Sequence, residues 1–307
     1  MRIFLTGATG YVGGAVLDAL VRSGHDVTAL VRNSEKARRV AKRGAHPVIG
    51  NLAEPESFRG AADAQDGYVH AAYDSRSGKG PEIDRLVLDT IVAAAKRPRT
   101  AGAATPPQRF VIYTSGVWVL GKSPEPLAED SPLNPIDLVS WRPQHERVVL
   151  DGGGDGLRTI VVRPGVVYGR GDGLVSDILK AASNGLVRVI GDGNNHWPLV
   201  YDRDLADLYA RLVAREDAAG VYHANDEGDE RVNDIVDAIK PYLPVKPDVR
   251  HVPIEEAHKK MGAVAEALAL DQVVRSPRAR ALGWTPTLHS VAGNAARLLE
   301  EFRAARN

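Results

Sequence analysis

Thr6-Gly7-Ala8-Thr9-Gly10-Tyr11-Val12-Gly13 follows the short apolar run "RIFLT" (2–6). It leads into a segment in which Val12, Val16, Ala19 and Leu20 recur at helical spacing before Gly24. A glycine-rich turn caught between a strand and an amphipathic helix leaves few folds open. The first glycine permits a tight turn, the second lets backbone N–H groups approach a pyrophosphate, and the third lets the helix pack close to the strand. The helix N-terminus adds partial positive charge where phosphates would lie. The spacing is GxxGxxG, so the strand–turn–helix context argues more strongly than the glycines alone. The loop reads as a dinucleotide cradle, with Gly7, Thr9, Gly10, Tyr11, Val12 and Gly13 as cofactor-binding residues; the alternative is a purely structural turn.

Downstream, "DVTALVR" (26–32), "HPVIGN" (46–51) and "GYVHAA" (67–72) read as buried strands. Ile83, Leu86, Val87 and Ile91 form the apolar stripe of a helix, and "RFVIYTSG" (109–116) and "RTIVVRPGVVYG" (158–169) read as strands five and six. Strands alternating with helices imply a parallel sheet with right-handed crossovers, an α/β Rossmann-type doubly wound fold. The Pro/Gly/Ala-rich "RPRTAGAATPPQ" (97–108) reads as an exposed loop. After residue 165 the alternation weakens, and helical stretches follow at 203–215, 231–240 and 255–270. The predicted organisation is a dinucleotide-binding domain over 1–165, completed by part of 199–225. A smaller mixed substrate lobe is expected from 166–198 and 226–307.

An acidic residue at the end of strand two would hold a ribose 2′-OH. Asp26 stands too early for that, and the strand ends instead in Arg32 and Asn33 with Lys36 close behind. Arginine there suits a 2′-phosphate, so NADP is the expected cofactor with NAD second. A solvated basic helix start is the competing explanation. Lys plus Arg and Asp plus Glu both number 39, a balance that argues against a nucleic-acid partner. With no cysteine there is no disulfide, thiolate nucleophile or Cys-ligated metal, and no His/Asp/Glu spacing suggests a metal site. The opening lacks a signal-peptide layout, and no run of about 18 apolar residues occurs. The expectation is a cytoplasmic protein with a small-molecule substrate, no membrane partner, and a homodimer as the commonest default assembly.

With these residues in hand, the chain resembles the extended short-chain dehydrogenase/reductase superfamily, in its NAD(P)-dependent epimerase/dehydratase group. "LTGATGYVGG" matches the TGxxGxxG loop, and "IGNL" (49–52) looks like the GDL motif with Asn51 in place of the acid. "VHAA" (69–72) resembles the segment beside the cofactor ribose, and "VVRPGVVYG" (161–169) the segment that walls the nicotinamide. "LVYDRDLADLY" (199–209) and "LGWTP" (282–286) match two later motifs. The resemblance implies that Asn51, Leu52, Ala71, Ala72, Thr114, Pro164 and Val166 also meet the cofactor. It further implies a tyrosine as proton carrier, a lysine four residues on, and a Ser/Thr ending strand five. Here those places hold Leu138, Arg142 and Gly116. Leucine cannot carry a proton and arginine does not readily release one. Pro143 favours a helix that starts there, which would keep Leu138 and Arg142 off one continuous helix.

Arg142 retains donors for ribose hydroxyls or a phosphate, and Ser115 offers a hydroxyl to a substrate carbonyl; these two are the catalytic candidates. The bland alternatives are a solvated arginine and a turn serine. His145 reads as a surface histidine of the first helical turn, and His70 as a satisfied core histidine. Tyr73, Tyr168 and Tyr201 read first as packed aromatics, while His196 and Trp197 suggest walls of the substrate lobe. The leading functional expectation is an NADP(H)-dependent oxidoreductase acting on a small carbonyl, imine or activated alkene without the Tyr–Lys pair. The alternatives are a non-catalytic NADP-binding sensor of the NmrA-like kind and, last, a nucleotide-sugar epimerase or dehydratase.

Overall fold

Seven strands form one sheet in the computed structural model, which describes residues 1–98, 108–154 and 156–305. They are β1 (Arg2–Thr6), β2 (Asp26–Val31), β3 (His46–Ile49), β4 (Gly67–His70), β5 (Arg109–Thr114), β6 (Leu157–Pro164) and β7 (Gly220–Ala224). Their order is β7-β6-β5-β4-β1-β2-β3, and β1 to β6 run parallel. Every residue of β4 and of β6 is buried, as expected for parallel strands covered on both faces. The order reverses at β1, which lies between β2 and β4. A crevice therefore opens beyond the carboxyl ends of β1 and β4, the place where such sheets bind ligands. The loop expected at 97–108 lies almost wholly outside the described residues.

The helices that cover this sheet are α1 (Tyr11–Arg22), α2 (Ser34–Ala41), α3 (Gly80–Lys96), α4 (Arg142–Leu150) and α5 (Asp202–Ala214). Val87, Leu88 and Ile91 of α3 and Val149 of α4 bury Phe4, Tyr68, Val111, Tyr113 and Val161 of the strands. Elsewhere Ala15 and Ala19 of α1 meet Ala206 of α5, small residues that bring two helices close together. Arg158 of β6 donates to the carbonyls of Leu212, Arg215 and Ala218, closing the C-terminal end of α5.

The chain divides into two units of about equal size: residues 1–115, 141–162 and 206–222, and residues 116–140, 163–205 and 223–307. The predicted boundary near 165 needs correcting, because residues 116–140 belong to the second unit. Gln272 donates to the carbonyls of Val117 and Gly121, and the strand Gln272–Val274 pairs with Ser123–Leu127. These are partners about 150 residues away in the chain, which local pattern cannot reveal.

The second unit is built from short parallel pairs, Val166–Tyr168 with Leu199–Tyr201 and Leu186–Ile190 with Asp248–Val252. The helices Gly173–Ser183, Val232–Ile239 and Ala295–Ala304 pack around Trp197, Val189 and Phe302. The Trp284 indole donates to the Asp204 carbonyl, and the Asp204 carboxylate accepts from the Thr287 and Leu288 N–H groups and the Thr287 hydroxyl. Two expected elements are interrupted. Strand 158–169 breaks at Gly165, where the Pro198 carbonyl oxygen would lie 2.2 Å from any Cβ. The helix expected over 255–270 is two, Ile254–Met261 and Val264–Leu268, parted at Gly262 with φ +59°.

Asp226 of the second unit is buried, accepting from Gly228 N–H at 3.0 Å and from the Tyr168 hydroxyl at 3.3 Å. Burial pushes its carboxyl up to about 7, with Glu230 adding to the rise against the Gly228 hydrogen bond. A native value above the unfolded value of about 3.9 means that the folded state holds the extra proton, so this group's contribution falls as pH rises from about 4 to about 7. Asp226→Asn is therefore expected to melt above wild type at pH 8. That advantage should shrink to nothing by pH 4 in parallel thermal melts; a constant gap across pH would contradict the assignment.

Candidate functional site

At the switch point the two loops touch. Gly7 has φ +80°, and a Cβ there would stand 2.4 Å from the Ala71 carbonyl oxygen. A Cβ on Gly13 would stand 2.3 Å from the Gly7 carbonyl oxygen. The chain's own packing thus demands glycine at 7 and 13. At Gly10 the nearest atom would be 3.2 Å away, a tight contact and no collision. Gly10 N–H donates to Gly7 O at 2.8 Å, and α1 begins with no side chain capping its first turn. The N-terminal turn of a helix carries partial positive charge that suits an anion. Thr9, Tyr11 and Val12 are partly buried on this loop, and Ala71 and Ala72 face it from the end of β4.

A basic rim lies at the end of β2. Arg32 is exposed, and the Lys36 ammonium is lowered by burial and then by the positive charges of Arg32, Arg39 and Arg76. Three arginines repel the Lys36 charge while Glu35 opposes them, and an anion there would relieve the repulsion. Arg76 comes from the loop after β4, where Asp74 accepts from the Arg76 and Ser77 N–H groups. Arg39, one turn after Lys36 on α2, and Arg76 were not singled out in the sequence, and Arg76 joins the rim only because the fold brings the β4 loop to the β2 end. Asn33 and Asn51 prove to be partly committed to the chain. Asn33 Oδ1 accepts from Lys36 N–H and caps α2, while Asn51 accepts from Ala53 N–H and donates to Glu54. Leu52 packs partly buried against the apolar cluster under α3.

At the end of β5, Arg142 Nη1 donates to the Thr114 carbonyl at 3.1 Å, and its guanidinium lies 4.7 Å from the Trp141 ring centroid and 5.6 Å from that of Tyr73. Tyr73 stacks on Trp141 at 5.3 Å and 9°. The Thr114 and Tyr209 hydroxyls are 2.6 Å apart. Ser115 N–H donates to Val162 O, yet its buried hydroxyl has no hydrogen-bond partner among the described residues. Such an orphan is costly unless a ligand or water meets it. Arg142, one residue before the predicted start, opens α4 with Pro143 behind it. Leu138 lies in the separate turn Asp137–Val139 of the second unit, packed against that unit's apolar cluster.

Behind Arg142 is a polar network that sequence reading did not find. Asp84 of α3 is buried, with Oδ2 accepting from Tyr113 OH at 2.9 Å and His145 Nδ1 at 2.8 Å, and Oδ1 from His70 Nε2 at 3.1 Å. Burial alone would raise this carboxyl, but the hydrogen bonds from His145 and His70 outweigh it and hold the acid well below the usual range. The expectation of a surface histidine at 145 is corrected: it is 5% exposed, turned inward by this carboxylate. His70 is satisfied on both sides, with Nδ1 2.6 Å from Thr6 Oγ1.

In the second unit, Tyr168 is fully buried against Asp226, and the Tyr201 hydroxyl donates to Glu301, with burial first raising its pKa to about 12. His196 pairs with Asp271 at 2.8 Å. Trp197 lines a pocket of about 230 Å³ with Ile178, Arg188 and Leu268. Pro164 and Val166 are buried, Val166 within that unit's core. Among the described residues no group of three His, Cys, Asp or Glu could hold a metal ion, and no helix is long and apolar enough to cross a membrane.

Residues 3–225 match the model of the NAD dependent epimerase/dehydratase family. The chain belongs to that family. An uncharacterized protein of Schizosaccharomyces pombe is 31% identical over 293 residues, 94% of this chain and 95% of the relative. A 4-hydroxy-2-methyl-3-oxo-4-farnesyl-3,4-dihydroquinoline-1-oxide ketoreductase of Stigmatella aurantiaca is 28% identical, covering 91% and 85%. The crystal structure of human epimerase family protein SDR39U1 with NADPH superposes with a TM-score of 0.80 at 21% identity, covering 98% and 99%. The epimerase/dehydratase fold thus extends over the whole described chain.

The glycine geometry separates two kinds of substitution. Gly7→Ala meets backbone on the wrong side of φ and is expected to cost on the order of 2–4 kcal/mol in urea unfolding. Gly10→Ala is expected to cost under about 1 kcal/mol. Equal losses at the two positions would contradict the contrast between an internal and an external demand for glycine.

Proposed function

We propose that this chain is an NADP(H)-dependent oxidoreductase that reduces a small carbonyl compound without the usual tyrosine–lysine pair. The observation that carries the reading is the Gly7–Gly13 loop pressed against Ala71 at the switch point, with the Arg32, Lys36, Arg39 and Arg76 cations at the adjoining rim. These residues fit a dinucleotide. The amides opening α1 would take the pyrophosphate, and the basic rim the 2′-phosphate. Bound NADPH would supply the hydride.

Arg142 keeps the binding role of a cation without its titration, donating toward ribose hydroxyls or phosphate from its place over Trp141. Ser115, with its orphaned hydroxyl, donates to the substrate carbonyl oxygen and stabilises charge there as hydride arrives. Leu138 cannot give a proton, so protonation of the oxygen falls to solvent. The Stigmatella ketoreductase supports a carbonyl substrate, and the NADPH in the human structure supports the nucleotide. The absent tyrosine favours a second reading, a protein that binds the nucleotide without using it.

The deciding experiment follows NADPH absorbance with a panel of ketones and quinones. Turnover above the substrate-free rate supports the reductase, while tight binding with background oxidation across the panel supports the second reading. Arg32→Ala is expected to weaken NADPH about 10-fold and to leave NADH within about 2-fold by titration calorimetry. Equal weakening of both would remove the 2′-phosphate from the reading. In a catalytic protein, Ser115→Ala is expected to lower kcat by about 10- to 100-fold with little change in NADPH affinity.

A further inference from the structure

We infer that Asp84, acting through His145, is the positioning residue that aims Arg142 at the end of β5. The inference rests on the proposed nucleotide site and adds residues that site does not itself contain. An ionised carboxylate only accepts, so each of its three contacts fixes a donor: Tyr113 O–H, His145 Nδ1–H and His70 Nε2–H. His70 is then left with a bare Nδ1, which accepts from the Thr6 hydroxyl at 2.6 Å. Thr6 immediately precedes Gly7, so one buried carboxylate reaches the cradle on one side and α4 on the other.

On the α4 side the contacts are continuous. His145 stands three residues after Arg142 on the same helix, hence on the same face. Its ring meets Trp141 edge-on at 4.8 Å. Trp141 in turn carries the Arg142 guanidinium at 4.7 Å and stacks on Tyr73. Arg142 ends on the Thr114 carbonyl at 3.1 Å. Arginine has a long, rotamer-rich side chain, and an exposed one samples many positions. Here the aromatic shelf removes most of them, and the shelf is held by a histidine whose ring is fixed through Nδ1. Taking away one donor leaves the buried carboxylate short of a partner, so α4 should shift to compensate.

The test compares His145→Leu with His145→Asn, since asparagine can place a donor nitrogen close to that of Nδ1. Nucleotide-free crystal structures of both are read for the Arg142 Nη1 to Thr114 O contact, and NADPH affinity is measured in each. The expected result is that Leu breaks the contact and weakens NADPH as much as Arg142→Ala does, about 5- to 20-fold. Asn should keep the contact and stay within about 3-fold of wild type. The double variant His145→Leu/Arg142→Ala should bind no more weakly than Arg142→Ala alone. Should His145→Leu fail to fold, Asp84→Asn takes its place with the same expectation. An Arg142 still seated on Thr114 O in the Leu or Asp84→Asn variant would overturn the inference, as would additive losses in the double variant. If wild type itself binds no NADPH, the proposed function falls, and the crystal structures still decide the positioning.

Discussion

The contact on which the rest of this structure depends is a missing methyl group. Gly7 brings the loop after β1 so close to the Ala71 carbonyl that a Cβ would lie 2.4 Å from its oxygen, and Gly13 brings α1 equally close to Gly7. Those two approaches fix how closely the loop after β4 and the start of α1 lie to the glycine loop. They also aim the first amides of α1 at the crevice, where no capping side chain covers them. A helix N-terminus at a switch point is a favourable place for an anion. The cations that converge near Lys36 come from the end of β2, from α2 and from the loop after β4, so the full rim exists only once β2 and β4 flank β1.

Below the crevice, the Asp84 carboxylate organises a second layer. Burying a carboxylate is unfavourable unless donors surround it, and here three side chains from β4, β5 and α4 do so. The same network that satisfies the charge fixes two histidine rings and a tyrosine, and with them the start of α4. It reaches Arg142 through the ring contacts of His145 and Trp141. Beside it stand an arginine on an aromatic shelf and a buried serine hydroxyl without a hydrogen-bond partner among the described residues. Under the proposed function this arrangement would bind and polarise a carbonyl and leave proton delivery to solvent.

Much of this was legible in the sequence, for reasons that can be stated element by element. The strands β1, β2, β4 and β5 carry short apolar runs bounded by turn residues, and α1 and α3 show clear helical periods. By contrast β3, expected to be buried, is a largely exposed edge strand. The glycine loop between β1 and α1 and the arginine at the end of β2, on which the dinucleotide and NADP expectations rest, stand where the sequence placed them. Pro143 correctly marked a helix start beside Arg142 and separated it from Leu138. What remained hidden was non-local. Asp84 looks like a surface acid of an amphipathic helix until His70, Tyr113 and His145 close around it. His145 looked solvent-facing because nothing nearby in sequence explains its burial. Residues 116–140 read as part of the first domain because their partner, Gln272, lies far along the chain. The breaks at Gly165 and Gly262 came from a carbonyl across the unit and from a left-handed cap, and neither alters the hydrophobic period.

The most direct test of this account is a crystal structure of the protein grown with NADPH. The account predicts the pyrophosphate against the amides of residues 10–13, the 2′-phosphate among Arg32, Lys36 and Arg76, and the Ser115 hydroxyl within hydrogen-bond reach of a bound ligand or of the cofactor. A nucleotide bound elsewhere, or a 2′-phosphate turned away from the basic rim, would contradict it.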